Sequence, residues 1–102
     1  MLRLMIVDDE QIIREALSSM IDYTSLGYEV IATAKNGMEA YDRIRDDYPD
    51  VVITDIKMPI LNGLELIERA SRIDSRITFI LLSGYGEFEY AKQAMKYGVR
   101  YY

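Results

Sequence analysis

The sequence predicts an α/β protein built on a doubly wound parallel sheet of five strands in the order 2-1-3-4-5. Three observations carry that expectation. First, short apolar runs alternate with helical patterns through short connections, which folds as successive strand–helix units with right-handed crossovers. Second, the run Val51-Val52-Ile53-Thr54 is β-branched throughout, as suits a strand covered on both faces. Third, this run ends in Asp55, and the run Leu2–Val7 ends the same way in Asp8-Asp9-Glu10. Open α/β sheets place their ligands at the carboxyl ends of strands, so those acids stand where a site is expected.

Leu2–Val7 is the first strand. After it the residues Ile12, Ile13, Ala16, Leu17, Met20 and Ile21 recur at the spacing of one helix face, a pattern that fades around Gly27. Tyr28–Ala34 reads as the second strand. Asn36-Gly37-Met38-Glu39 pairs a capping residue with an acid three positions on, so a helix is predicted from there to about Asp47, stopped by Pro49. The third strand is Val51–Thr54, closed by Asp55; Pro59 and Asn62-Gly63 impose a turn after it. A third helix begins near Gly63, with Leu64, Ile67, Ala70 and Ile73 expected inward. Ile77–Leu82 is the fourth strand and Ser83-Gly84-Tyr85-Gly86 a loop. A helix over Glu87–Tyr97 is capped by Gly98, and Val99–Tyr102 begins the fifth strand.

Composition bounds the function. At 102 residues the chain has room for one domain with a modest core, and half of its residues are hydrophobic. A net charge of −5 argues against a general nucleic-acid surface. Without Cys or His, thiolate catalysis, zinc centres of the usual ligands and His-based triads are excluded. No apolar run approaches membrane-spanning length and no signal-peptide core opens the chain, so a cytoplasmic location is expected, with no membrane partner.

The strand order 2-1-3-4-5 makes the first and third strands neighbours and sets the topological switch point between their carboxyl ends. Asp8, Asp9 and Asp55 then share one crevice, where their mutual repulsion calls for a cation. Mg²⁺ suits oxygen ligands and is commonly held by one or two carboxylates plus a substrate phosphate. A carboxylate beside such a metal can also be a nucleophile toward phosphorus, forming an aspartyl phosphate.

Taken together, Asp8-Asp9, Asp55-Ile56-Lys57-Met58-Pro59 and Ser83-Gly84 resemble the receiver domain of two-component response regulators, a flavodoxin-like fold. The resemblance spans the whole chain. It implies Asp55 as phosphoacceptor, Asp9 as a direct Mg²⁺ ligand, Asp8 as a ligand through water, and the backbone carbonyl of Lys57 as a further ligand. It also gives Ser83 the hydroxyl that hydrogen-bonds the phosphoryl group and Tyr102 the role of the switch aromatic. Ser83–Ala91 is similar to receivers joined to AraC-type DNA-binding domains. The implied partners are a sensor histidine kinase, an output DNA-binding domain outside this chain, and a second copy in a homodimer; direct nucleic-acid contact by this domain is not expected. Receivers carry a lysine and a fifth helix beyond the position of Tyr102. On that resemblance the chain is a receiver domain over residues 1–102, truncated within or just after the fifth strand with the fifth helix missing, so its own phosphorylation is expected to be slow or absent and its switching only partial.

Each residue also has an ordinary structural reading. Asp8, Asp9 and Glu10 suit a helix N-terminus, where anionic side chains complement the dipole. Asp55 alone suits a loop before a turn, Ser83 a turn, Tyr102 a core position, and Lys57 a solvent-facing side chain. Acids at the ends of two adjacent strands favour the site. The clustered Tyr85, Tyr90, Tyr97, Tyr101 and Tyr102 suggest an interface. Two other functions compete. A stand-alone phosphohydrolase of the haloacid-dehalogenase type wants Asp-x-Asp after the first strand, which Asp8-Asp9-Glu10 does not supply, and there is no room for a cap domain. A non-phosphorylated interaction module would keep the fold without binding Mg²⁺. A flavodoxin is disfavoured because no hydroxyl- and Gly-rich loop succeeds the first strand.

Overall fold

The computed structural model describes residues 1–82 of the chain. The expected helix over Glu87–Tyr97, the fifth strand, Ser83 and Tyr102 lie outside the described residues. Within them, β1 (Leu2–Val7), β2 (Tyr28–Ala34), β3 (Val51–Asp55) and β4 (Thr78–Leu82) form one parallel sheet in the order β2-β1-β3-β4. Three α-helices connect them: α1 (Gln11–Ser19), α2 (Gly37–Asp47) and α3 (Gly63–Ile73). The order agrees with the described part of 2-1-3-4-5.

Strand alternation sorts the core into two layers. Met5 and Val7 of β1, Val52 of β3, and Phe79 and Leu81 of β4 pack with Ile44 of α2 and with Leu66, Ile67 and Ala70 of α3. The intervening Leu4, Ile6, Val51 and Ile53 face the other way, toward Tyr23 and the half-buried Leu17 of α1. The register pairs Ile6 with Ile53 and Val7 with Thr54, so β1 and β3 end side by side. Between Leu4 and Met5 the pairing with β2 slips by one residue, at Ile31.

The connections are where expectation and structure part. The apolar spacing of the first helix predicts a run on toward Gly27. Instead α1 ends at Ser19, and a separate 3₁₀ turn, Thr24–Leu26, leads to Gly27 at φ +88°. The apolar spacing of Ile12, Ile13, Met20 and Ile21 is real, but these side chains are exposed and α1 buries no residue fully. In α3 the inward set is Gly63, Leu66, Ile67 and Ala70, while Leu64 and Ile73 sit half-buried at its flanks. Helix α2 stops at Asp47 as predicted, with Tyr48 in the left-handed region at φ +48° and Pro49 behind it. The fourth strand begins one residue later than expected, and Ile77 packs into the core just before it.

Candidate functional site

The site sits at the carboxyl edge of the sheet, where β1 gives way to α1 and β3 to a long loop. Asp8 continues the β1–β2 ladder by one bond, its N–H donating to the Ala34 carbonyl at 3.1 Å. Its side chain is buried, and its Oδ1 accepts from the Glu10 N–H at 2.9 Å, a tight turn that feeds α1. Burial pushes the Asp8 carboxyl above the usual range, opposed by that N–H. The charges of Asp9 and Glu10 push the same way as burial, and the Arg14 guanidinium pulls it down. Asp9 is exposed and presents its carboxylate from the rim.

Asp55 closes β3. Its Oδ1 accepts from the Ile56 N–H at 2.8 Å, which fixes the plane of the carboxylate. The buried Thr54 hydroxyl donates to the Asp55 carbonyl at 2.9 Å. Beyond it the loop is pinned by three buried apolar side chains, Ile56, Met58 and Leu61, so it is held from below rather than free over the surface. Gly63 completes this anchorage: its N–H donates to the Ile56 carbonyl at 2.7 Å. A Cβ on Gly63 would stand 2.3 Å from the Asp55 carbonyl oxygen, a contact no side chain could make without moving the strand end.

These elements bring one carboxylate oxygen each from Asp8, Asp9 and Asp55 within 4.8 Å of one another. Three hard oxygen donors at that spacing match what Mg²⁺ takes from a protein, leaving its other positions to water or phosphate. The three acids predicted to converge thus do so. Lys57 lies two residues past Asp55 with its side chain exposed, as its solvent-facing reading expected. Ser83 comes directly after Leu82 in sequence, and the β3–β4 register pairs Leu82 with Asp55. The roles expected for Ser83 and Tyr102 themselves fall outside the described residues.

Sequence reasoning passed over three contributors to the site. Thr54 and Gly63 act through a hydroxyl bond and a close approach that no spacing reveals. Arg14 is the third: its Nη1 donates to the Asp8 carbonyl at 2.7 Å from one turn into α1.

A doubly wound parallel sheet with a carboxylate cluster at its switch point defines a class of α/β domain whose strand-end acids could hold a metal ion. The particular family is shown by comparison with known proteins. The model of the response regulator receiver domain matches residues 4–102, and the chain belongs to that family. It is 50% identical over 102 residues to the uncharacterized transcriptional regulatory protein YesN of Bacillus subtilis (strain 168). That match takes in all of this chain and 28% of the relative's length. Among solved structures, the receiver domain of AraT, a response regulator from Geobacillus stearothermophilus, is 37% identical with a TM-score of 0.94. It covers 99% of this chain and 78% of that one. A two-component transcriptional regulator AraC from Clostridium phytofermentans is 34% identical with a TM-score of 0.90, covering 99% and 79%. The fold is therefore the flavodoxin-like receiver fold, a regulatory domain whose relatives are transcriptional regulators of two-component systems. Among the described residues no helix is long and apolar enough to cross a membrane.

Proposed function

We propose that this receiver is the phosphorylation-dependent switch of a cytoplasmic response regulator, with Asp55 as the acceptor of a phosphoryl group from a sensor kinase's phosphohistidine. The observation that carries the reading is the convergence of Asp8, Asp9 and Asp55 at the adjacent ends of β1 and β3. In the reaction an Asp55 carboxylate oxygen attacks phosphorus, the phosphorus–nitrogen bond breaks, and the imidazole leaves carrying a proton. The anchored plane of Asp55 limits the directions from which that oxygen can attack, an orientational contribution to the rate. Mg²⁺ held by Asp9 and Asp55 directly, by Asp8 through water and by the Lys57 carbonyl would neutralise charge on the transferring oxygens. Ser83, next after the strand end that pairs with Asp55, supplies a hydroxyl to the phosphoryl group, and Tyr102 reports the change to the output surface. The output is a DNA-binding domain of the kind the transcriptional relatives imply, engaged through a homodimer; the receiver itself touches no DNA.

A small acyl phosphate or phosphoramidate with Mg²⁺ tests the acceptor, in a chain extended past Tyr102 through the family's lysine. Intact-mass spectrometry should show one added phosphoryl group, and Asp55→Asn should abolish it, because an amide is no nucleophile here. Label retained in Asp55→Asn, or none in the parent chain at saturating donor, would overturn the assignment. The same measurement separates the switch from a non-phosphorylated interaction module.

A further inference from the structure

We infer that Arg14 is a positioning residue for the acidic cluster: a standing cation that sets its affinity for Mg²⁺ below what three carboxylates alone would give. The inference rests on the proposed metal site and adds a residue that the acidic triad does not include.

Among the described residues Arg14 makes no ion pair with any carboxylate. Its guanidinium spends its hydrogen bond on a neutral acceptor, the Asp8 carbonyl, at 2.7 Å. Its backbone N–H is meanwhile fixed by the Glu10 carbonyl at 3.0 Å, in the first turn of α1. The positive charge is thereby held on the main chain of a cluster member, unpaired with any acid among the described residues and not swung into solvent. Arginine keeps its charge at every accessible pH and its planar fork holds direction, so this is a permanent countercharge.

Coulomb's law gives this charge two effects. Without metal, the cation relieves part of the repulsion among Asp8, Asp9 and Asp55, so the site stays assembled. With metal, the same cation repels a divalent ion entering beside it. Removing the charge should therefore tighten Mg²⁺ binding, roughly three- to tenfold for a unit charge acting across a water-exposed site. A residue that merely braced the Asp8 turn would do the opposite, since loosening the turn scatters the ligands and weakens binding.

Mg²⁺ titration monitored by amide chemical shifts of Asp8 and Asp9 decides between the two signs, at low salt and again near 1 M. Arg14→Gln is expected to bind several-fold tighter than wild type at low salt. The gap should shrink at high salt, where the screening length falls to about 3 Å. Arg14→Lys keeps the charge without the fork and should stay near wild type. Arg14→Met, neutral with a long stem, stands in should the Gln variant fail to fold. Equal or weaker binding in the neutral variants, or a Lys variant that behaves like Gln, overturns the inference while leaving the metal site standing. No Mg²⁺ response in the wild-type chain overturns both.

Discussion

Ile60 adopts a backbone conformation that its side chain opposes. Its φ is +73°, and the Leu61 N–H donates to the Pro59 carbonyl at 2.8 Å, closing a three-residue turn around it. A β-branched residue in that region is an outlier, at a cost of order 1–3 kcal/mol. The side chain is 76% exposed, so little burial compensates. The turn is needed all the same, because it lets Leu61 dive into the core and lets its carbonyl lie against Gly37, where a Cβ would stand 2.0 Å away. Ile60→Gly should relieve the strain while giving back about 0.5–1 kcal/mol through the added freedom of the unfolded chain. The expected outcome is a net gain of about 1 kcal/mol, read as a higher urea midpoint with unchanged slope. A lower midpoint would mean that Ile60 makes contacts worth more than the strain. Residues of this kind mark the limit of what sequence shows. The acids of the site were legible because carboxylates at strand ends are a pattern. Gly63 read only as a turn and helix-start residue, and Arg14 carried no reading, because a 2.3 Å exclusion or a bond to a carbonyl exists only once the chain has folded.

At the scale of elements, local signals were strong where they were chemical. Asn36 caps α2 as expected, its side chain accepting from the Glu39 N–H at 2.8 Å. The fuller motif lies at α3, where Asn62 accepts from the Glu65 N–H and Glu65 accepts from the Asn62 N–H, a reciprocal box. There the pair Asn62-Gly63 reads as a turn, and the turn is also the helix start. The end of α1 was less legible, since apolar spacing continues through Met20 and Ile21 although the helix does not. The segment between α1 and β2 is tied down by Tyr23, nearly buried, whose hydroxyl donates to the Leu17 carbonyl at 2.6 Å. Burial raises the Tyr23 phenol above its ordinary value. A phenol whose folded pKa is raised contributes stability that is whole below its unfolded value, near 10, and is lost as pH rises through the folded one. Tyr23→Phe should cost about 0.5–1.5 kcal/mol at neutral pH. Urea midpoints of the two proteins between pH 8 and 11 should converge as the tyrosinate forms, and a gap constant with pH would show the hydroxyl bond to be unimportant.

At the scale of the whole molecule, the two faces of the four-stranded sheet are unequal among the described residues. Among the described residues, fifteen buried side chains form the layer beneath α2 and α3, against five in the layer beneath α1. The helices repeat the contrast: three fully buried residues in α2, four in α3 and none in α1. Periodicity alone could not foresee this, since an apolar stripe states which side of a helix seeks cover and not whether cover is present. Ile12 and Met20 carry the stripe at 78% and 81% exposure. Burying a large apolar side chain contributes about 1.5–3 kcal/mol, so α1 is attached by far less than its partners across the sheet. Local opening should track that difference, because segments with few buried contacts open at free energies well below the global one. Native-state hydrogen exchange on the 102-residue chain is the measurement. Amides of α2 and α3 should exchange only through global unfolding, with protection that falls steeply as denaturant is added. Amides of α1 should exchange through a shallower opening, nearly independent of denaturant, while those of β1 beneath it stay protected by β2 and β3 on either side. Protection in α1 equal to that in α3, with the same denaturant slope, would show that the helix is held by more than the half-buried Leu17, the hydroxyl of Tyr23 and the Arg14 bond to the Asp8 carbonyl.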